Sequence, residues 1–458
     1  MRLLVLLVAV SAALILQAAP AGASGYVRYG LQDDAWLAYG PGTLDERLDT
    51  LDRMGVKLVR YTLEWSTIEA RKGKPDWDRS DAILRGLDER LDTLDGMGVK
   101  LVRYTLHWNE IEARKGAPGW SRSDSILRGL HERGIVPVVT IWGTPRWANG
   151  GQAANWAPSS KWTFAGFARR AAERYPFVKH WLIWNEPNQR RWLRPTSARV
   201  YVQTLLNPAY FAIRNATPGA KVGGGVTAPR GSTGGISPVD FIRGMGAAHA
   251  RLDAYAHNPY PLRPLETPSS GGCGHCETIT MATIDRLLRE VGKAFGRKRI
   301  WLTEYGYQTN PPDRSLGVSP TLQARYLADA AYRAYATPYV DMLIQYLYKD
   351  EPDAARWQSG LVTAGGSAKA SRRAAILPLA QVSRTGLRTT VWGHVRPESG
   401  RQRYVLQQFW NGRWRAVGGV RMTSARGFLV RTLRAGHGAK LRIWYPRDAL
   451  ASPLLVVR

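Results

Sequence analysis

Short apolar runs rich in β-branched and aromatic residues recur along the first three quarters of the chain, and segments with helical periodicity separate most of them. Each run has the length of a β-strand and ends in turn-forming or polar residues. Strand-like runs outside a repeated segment cover residues 29–32, 135–142, 178–184, 221–225, 252–257, 300–303 and 341–347. Strands that alternate with helices predict an α/β fold in which helices cover a parallel sheet.

A tandem repeat interrupts this alternation, because residues 44–86 recur at 87–129 with eight differences in 43 positions. Each copy contains a helix-like segment, a strand-like GVKLVRYTL run and the start of another helix, so one copy is about one α/β unit. Counting one copy gives eight strands, the number that closes a (β/α)8 TIM barrel. Because a ninth strand would disturb tilt, shear and packing, we expect one copy to form strand 2 and the other to be displaced to the periphery. The second copy is favoured, since it runs directly into the strand-3 unit.

The sequence pattern changes after about residue 375 to short runs of alternating apolar and polar residues with Gly-rich turns between them. This pattern is typical of a small β-sandwich. The predicted domains are therefore a barrel at 24–377 and an all-β sandwich-like domain at 378–458. The second domain carries fifteen Lys and Arg against Glu398 and Asp448, a net charge of +13. It could hold the protein near an anionic cell-wall polymer, or it could simply pack against the barrel and stabilise it.

The N-terminus reads as a secretory signal. Met1 and Arg2 precede an apolar run over residues 3–16, and small residues follow up to residue 23, so residues 1–23 are predicted to be a signal peptide and the mature protein to be secreted. That run is too short to span a bilayer, and no later segment is apolar for long enough, so no membrane association is expected. The net charge of +28 favours anionic partners or reflects a solvated Arg-rich surface. No motif supports nucleic-acid binding, which is not expected.

Two glutamates carry the candidate chemistry. Glu186 follows the run at 178–184 and Glu304 follows the run at 300–303. Strand ends of a parallel barrel converge on one face, so the two carboxyl groups are expected to meet there. Retaining glycosidases need one carboxyl group to protonate the leaving oxygen and another, about 5 to 5.5 Å away, to attack the anomeric carbon. This chemistry needs no cofactor, and none is predicted. The charge of Glu304 is expected to raise the pKa of Glu186.

Residues 27 to about 375 resemble the clan A glycoside hydrolases, the (β/α)8 enzymes that include families 5 and 39. The resemblance is carried by Asn185-Glu186-Pro187, by Thr303-Glu304-Tyr305 and by the flanking GTPRWA, RYLADAAYRA and SGL segments. It implies Glu186 at the end of strand 4 as acid/base and Glu304 at the end of strand 7 as nucleophile, in retaining hydrolysis of β-glycosidic bonds of a polysaccharide or oligosaccharide. The alternative is a carbohydrate-binding or wall-associated barrel whose cleft the duplication has impaired.

The resemblance also implies supporting residues. Asn185 is expected to hydrogen-bond the 2-hydroxyl of the sugar. His257 and Tyr260 resemble a His-x-Tyr pair near the nucleophile with one extra residue between them, although His257 could instead be a buried histidine with satisfied hydrogen bonds. An Arg at the end of strand 2 commonly steadies the nucleophile, and the duplication offers Arg60 and Arg103, of which one can occupy that place.

The two copies would present different chemistry to the cleft. The second copy has His107 and Asn109 where the first has Glu64 and Ser66. Aromatic residues complete the predicted cleft, because flat apolar rings suit sugar faces. The stacking candidates, some of which could be core residues instead, are Trp142, Trp147, Trp184 and Trp192. The clan often has a Trp at the end of strand 8, and in the LIQYLYKDE segment here Gln345, Tyr346 or Tyr348 must serve.

The two cysteines, Cys273 and Cys276, form a CxxC string after strand 6. In an exported protein the first interpretation is a small loop-closing disulfide. The same string occurs in thiol oxidoreductases and zinc sites, but no thioredoxin-like unit surrounds it and two further metal ligands are lacking. No metal site is predicted.

Overall fold

Nine parallel strands close a barrel in the computed structural model, which describes residues 27–32, 58–61, 101–132, 136–347, 349–398 and 400–458. Each strand pairs with the next along the chain, and the last pairs with the first to close the ring. The strands are β1 Arg28–Gln32, β2 Leu58–Tyr61, β3 Leu101–His107, β4 Val136–Trp142, β5 His180–Ile183, β6 Lys221–Thr227, β7 Ala254–His257, β8 Arg299–Tyr305 and β9 Val340–Tyr346. The predicted α/β barrel is confirmed, with nine strands in place of eight.

Both copies of the repeat contribute a barrel strand, so the expectation that one copy lies at the periphery is wrong. Strand β2 comes from the first copy and β3 from the second, and Leu58 pairs with Leu101 and Tyr61 with Tyr104. These partners are 43 residues apart, which is the length of the repeat. Each copy is a whole α/β unit by sequence, so the additional strand inserts between β1 and the next strand without breaking any other pairing. Both strands therefore join the ring.

Several predictions fall outside the described residues. These are the signal peptide at 1–23, the helix-like segments that open each copy, the side chains of Arg60, Glu64 and Ser66, and Tyr348. Within the part of the chain that the structure describes, no helix is both long and apolar enough to cross a bilayer.

Helices follow most of the strands, and local capping explains where several of them begin. The side chains of Ser160, Ser197, Ser237 and Ser319 each accept a backbone N–H at a helix N-terminus. The helices are α1 Trp108–Ile111, α2 Ser121–Glu132, α3 Lys161–Arg174, α4 Ala198–Val200, α5 Asn207–Ala216, α6 Pro238–Ala247, α7 Ile284–Phe295, α8 Pro320–Ala336 and α9 Ala370–Ile376. A π-helical segment, Tyr201–Leu206, joins α4 to α5, and short 3₁₀ helices cover Arg146–Ala148 and Met281–Thr283.

The barrel interior is filled by side chains, and the glycines of β6 make room for the largest of them. A Cβ built on Gly223 would lie 2.7 Å from the ring of Trp301 and 2.8 Å from Leu182, so only glycine fits there. The interior cluster consists of Val138, Leu182, Val226, Ala254, Ala256, Trp301, Met342 and Ile344. The barrel is therefore packed below the strand ends, and chemistry is confined to its carboxyl-terminal face.

The C-terminal region consists of antiparallel sheets, as predicted. The strands are β10 Leu379–Thr385, β11 Arg388–His394, β12 Arg403–Trp410, β13 Arg413–Met422, β14 Phe428–Arg434, β15 Lys440–Tyr445, β16 Leu450–Ala451 and β17 Leu455–Val456. One sheet has the order β10–β11–β14 and the other β13–β12–β15–β16, with β17 pairing with β15. Tyr335 of α8 packs on Trp392 and Phe428, with ring centroids 5.4 Å and 4.9 Å apart, so an aromatic cluster joins these sheets to the barrel.

Candidate active site

The backbone around Glu186 is held in an uncommon conformation. After β5 the chain turns sharply, and both Trp184 and Glu186 have positive φ angles, of 70° and 39°. The Trp184 amide donates to the carbonyl of Ile141 and the Glu186 amide to the carbonyl of Val226, both at 2.9 Å. Such conformations cost energy for residues other than glycine and occur most often at functional sites. The ends of β4 and β6 thus fix the direction in which Glu186 points.

The carboxyl group of Glu186 is almost completely buried and accepts two hydrogen bonds. Asn258 Nδ2 donates to Oε1 at 3.2 Å, and Arg191 Nη2 donates to Oε2 at 3.1 Å. Burial raises the pKa of Glu186, and the negative charge of Glu304 raises it further, against the opposing effects of Arg191 and Asn258. The neighbouring glutamate acts as expected from the sequence, but burial is the larger cause.

Glu304 lies in β8 and is surrounded by donors. Tyr260 Oη donates to Oε2 at 3.2 Å, and Arg103 Nη1 lies 3.8 Å from Oε1. Arg103 is fully buried; its Nε donates to Thr140 Oγ1 at 2.8 Å and its Nη1 to the carbonyl of Thr303 at 3.1 Å. A hydroxyl donor and a fixed guanidinium stabilise a negative carboxylate. Burial, and then the charge of Glu304, hold the pKa of Tyr260 well above its usual value, so Tyr260 keeps its proton as a donor.

Asn258 links the two glutamates. Its Nδ2 donates to Glu186, and its Oδ1 accepts a 2.7 Å hydrogen bond from Thr303 Oγ1, next to Glu304 in the chain. The buried amide therefore couples the ends of β5, β7 and β8. Sequence reasoning missed Asn258, although it stands between His257 and Tyr260 in the AHNPYP segment.

His257 and Tyr260 have different surroundings. His257 is fully buried, with Nδ1 2.8 Å from Thr227 Oγ1 and Nε2 3.0 Å from the carbonyl of Ile279. Since a carbonyl can only accept, Nε2 carries the proton and Nδ1 accepts from the threonine hydroxyl. Burial lowers the pKa of His257 to about 4. Of the two predicted residues, Tyr260 reaches a glutamate, and the hydrogen bonds of His257 go elsewhere.

Asn185 lies directly before Glu186 and is also nearly buried. Its side-chain oxygen has no hydrogen-bond partner among the described residues. A buried amide oxygen without a partner is costly unless a ligand or water meets it. Asn185 is therefore placed to contact a molecule bound beside Glu186.

The four predicted tryptophans divide between the core and the walls of the cleft. Trp184 is fully buried and donates to the carbonyl of Trp192, so it is a core residue. Trp147 is half-buried and donates to the carbonyl of Glu112 at 2.7 Å. Trp142 and Trp192 are half-buried and pack edge to face, with centroids 5.7 Å apart. This last pair lies next to the strand end that carries Glu186.

A second aromatic group lies beside Glu304. Tyr346 at the end of β9 packs against Tyr260 and Trp357, with centroids 6.1 Å and 5.4 Å away, and Tyr260 packs against Trp357 at 5.2 Å. Trp357 was missed because it lies in the loop after β9, eleven residues beyond Tyr346. Gln345 donates to the carbonyls of Tyr346 and Ser359, so it holds this loop.

The two predicted cysteines are bonded to each other. Cys273 and Cys276 form a disulfide within the loop after β7. Among the described residues, no three His, Cys, Asp or Glu side chains are grouped closely enough to hold a metal ion.

Many solved structures are similar to this chain in fold, and three of them are glycoside hydrolases that cover most of its length. A family 39 glycoside hydrolase from the gut symbiont Bacteroides cellulosilyticus WH2 is 17% identical, with a TM-score of 0.53 over 89% of this chain and 82% of its own. A monomeric β-xylosidase from Caulobacter crescentus CB15 is 14% identical, with a TM-score of 0.52 over 91% of this chain and 96% of its own. A glucosidase from Croceicoccus marinus is 12% identical, with a TM-score of 0.52 over 91% and 94%.

No protein-family model matches the chain, and no curated protein matches its sequence at a significant level. At these identities the structural likeness shows the fold. Asn185-Glu186-Pro187 indicates a resemblance to clan A glycoside hydrolases. The fold, a barrel with an appended all-β region, agrees with that resemblance.

Proposed function

We propose that this protein is a retaining glycoside hydrolase that cleaves β-glycosidic bonds by double displacement. The observation that carries the proposal is the asymmetry of the two glutamates on one face of the barrel. Glu186 is buried beside a second carboxylate, which favours its protonated form. Glu304 accepts a hydrogen bond from the Tyr260 hydroxyl and lies 3.8 Å from the Arg103 guanidinium, two groups that can hold a carboxylate in place for attack. One acid and one nucleophile are what this reaction requires.

In the first step, Glu304 attacks the anomeric carbon while Glu186 transfers its proton to the departing glycosidic oxygen. The charge of Glu304 is lost when the ester forms, so the contribution of that charge to the pKa of Glu186 disappears. In the second step, Glu186 takes a proton from water, the water attacks the anomeric carbon, and Glu304 leaves as the carboxylate. Two inversions give net retention.

Asn185 and the aromatic pairs would hold the sugar. The unmet oxygen of Asn185 is suited to accept a hydrogen bond from the 2-hydroxyl, which strengthens toward the oxocarbenium-like transition state. Trp142 with Trp192, and Tyr346 with Trp357, offer apolar ring faces on either side of the glutamates. The β-xylosidase and glucosidase among the similar structures make β-xylosides and β-glucosides the first substrates to test.

The decisive experiment compares the mature protein with Glu186→Gln and Glu304→Gln on aryl β-glycosides. We expect each substitution to lower kcat by at least about 10³-fold. Azide should rescue Glu304→Ala and give a glycosyl azide of inverted configuration, and NMR of wild-type product should show retention. Glu173→Gln on the surface of α3 is the matched control. Full activity in either glutamine variant would overturn the assignment.

A catalytically impaired carbohydrate-binding barrel is the second candidate. The nine-stranded ring favours it, because an additional strand changes the circumference on which the two glutamates sit. Wild-type protein that binds xylo- or gluco-oligosaccharides in calorimetry, without turnover, would favour this candidate over the first.

Secretion and a cell-wall partner belong to the same proposal. The signal-like residues 1–23 support export, and mass spectrometry of protein from the culture medium should then find a chain that begins near Ser24. The net charge of +13 beyond residue 377 supports retention on an anionic polymer. Removal of that region is expected to weaken binding to such a polymer, and salt should weaken binding by the whole protein.

A further inference from the structure

Arg191 is an exposed cation that touches the acid/base glutamate. Its side chain is 65% exposed, while the Glu186 side chain that it contacts is 6% exposed. Its guanidinium lies over the ring of Trp192, 5.6 Å from the centroid, and Nη2 donates to Glu186 Oε2. The aromatic ring supports one face of the guanidinium, and most of the Arg191 side chain remains exposed to solvent. One part of the Arg191 side chain therefore binds Glu186, and the exposed part can bind a ligand.

This contact opposes the task of an acid. A proton donor must reach the substrate protonated, but a guanidinium that donates to a carboxyl oxygen stabilises the ionised form. Among the residues that the structure describes, the other charged and titratable groups around Glu186 are Glu304 from β8, with its partners Arg103 and Tyr260. Arg103 and Tyr260 both contact Glu304, the proposed nucleophile. Arg191 contacts Glu186 from the loop that directly follows it, and its side chain is largely exposed.

We propose that Arg191 is the anion-binding residue of a subsite on the leaving-group side of the cleft, and that the substrate carries a carboxylate or sulfate there. This inference rests on the proposed glycosidase function. The anion of the substrate takes the guanidinium from Glu186, which strengthens the preference of Glu186 for its protonated form before Glu186 donates that proton to the glycosidic oxygen. Substrate binding thereby prepares the acid. Planar N–H pairs of Arg suit both carboxylate and sulfate oxygens.

The test uses matched aryl β-glycosides of whichever sugar, xylose or glucose, the wild type hydrolyses faster. One pair carries a 3-carboxyphenyl or a 3-carbamoylphenyl leaving group, and a second pair replaces these with 3-sulfophenyl and 3-sulfamoylphenyl. The measured quantity is the ratio of kcat/KM within a pair. Dividing the wild-type ratio by that of Arg191→Ala cancels the intrinsic reactivities of the leaving groups.

We expect Arg191→Ala to lower the preference for the charged leaving group about tenfold, as for loss of a hydrogen bond to a charged group. Arg191→Lys should keep part of it. Arg190→Ala removes the same charge from the adjacent position, where the side chain packs against Gly234, and should change the preference little. A large effect in the carboxyl pair alone would identify a uronate-like substrate, and one in the sulfo pair alone a sulfated substrate.

The pH profile gives an independent measure. Removal of the cation should raise the pKa of Glu186, so the alkaline limb of kcat/KM for the neutral substrate should move to higher pH in Arg191→Ala and stay in place in Arg190→Ala. Equal loss of preference in Arg190→Ala and Arg191→Ala, or an unchanged limb and preference in Arg191→Ala, would overturn the subsite. If instead Glu186→Gln and Glu304→Gln are fully active, the proposed function itself fails.

Discussion

The two copies of the repeat differ at eight of 43 positions, yet the molecule uses them differently. Strand β2 of the first copy lies between β1 and β3, whereas β3 of the second lies between β2 and β4. In β3, Arg103 reaches Thr140 of β4 and Glu304 of β8. Identical residues of β2 and β3 therefore have different neighbouring strands, and the role of each residue depends on what those strands present to it. The duplication also provides a matched control for every substitution in the second copy.

The largest expected difference in kcat/KM is between the variants Arg103→Met and Arg60→Met. Arg103 is fully buried and faces Glu304, so its loss should reduce kcat/KM about 10³-fold. The place beside Glu304 is already filled by Arg103, so Arg60→Met should change kcat/KM by about twofold or less. Steady-state kinetics on one aryl glycoside measures both, with circular dichroism to verify folding. Equal losses would show that both copies serve the site.

The next difference concerns Glu112 and its counterpart Glu69. Glu112 accepts hydrogen bonds from Trp108 Nε1 at 2.9 Å, Arg170 Nη2 at 2.7 Å and the Gly116 amide at 3.2 Å, with a side chain that is 4% exposed. Glu112→Gln should lower the free energy of unfolding by about 2 kcal/mol, because charged hydrogen bonds are lost. Glu69→Gln is expected to cost less. Urea denaturation of the two variants compares their free energies of unfolding directly, and a larger loss in Glu69→Gln than in Glu112→Gln would contradict this expectation.

Deleting one copy at a time gives two chains that differ only at the eight positions. Removal of 44–86 keeps His107 and Asn109, and removal of 87–129 leaves Glu64 and Ser66 in their places. His107 packs edge to face on Trp142, 5.7 Å between centroids, and the backbone amide of Asn109 donates to the Gly143 carbonyl. We expect both products to fold as eight-stranded barrels. The kcat/KM of the chain that lacks 44–86 should be about tenfold higher than that of the chain that lacks 87–129. Equal rates would mean that these positions do not shape the cleft.

The smallest difference is a pH effect at Asp124, whose counterpart is Asp81. Burial alone would raise the pKa of Asp124, but hydrogen bonds from Arg174 and Tyr175 and the charges of Arg174 and Arg128 lower it below its usual value. A depressed carboxyl pKa contributes stability above the unfolded pKa, and that stability is lost as the pH falls through the folded pKa. Asp124→Asn should cost about 1 kcal/mol at neutral pH, since the site is partly exposed, and flatten the acid limb of stability. Asp81→Asn should leave that limb unchanged when Tm is followed from pH 7 to pH 3.

Those parts of the molecule that depend on local pattern could be predicted. The strands that carry Glu186 and Glu304, their common face and the all-β C-terminal region follow from periodicity and from the rule that parallel strand ends converge. The number of strands in the ring could not be predicted, because β2 and β3 have the same local pattern whether or not both are paired. The tilt and shear of a barrel favoured eight strands. Hydrogen bonding between β2 and β3, whose paired residues are identical, gives nine.

The missed residues lie in loops or depend on distant partners. Arg191 contacts Glu186 from the loop after β5, and Trp357 reaches Tyr260 from the loop after β9. Loop conformation carries no periodic signal in the sequence. His257 is satisfied by the carbonyl of Ile279, 22 residues further along, so its burial could not be distinguished from a place in the cleft.

The register between β2 and β3 has an evolutionary consequence. Leu58 lies beside Leu101 because the inserted segment is a whole number of structural modules long, so each paired residue of β2 lies beside its own counterpart in β3. One genetic event of this kind lengthens the perimeter of the ring by one strand spacing, about 5 Å, while each older strand keeps a neighbour on both sides. A barrel that tolerates such an insertion can change its circumference by one strand at a time. The opening at the carboxyl-terminal ends of its strands would widen by the same step.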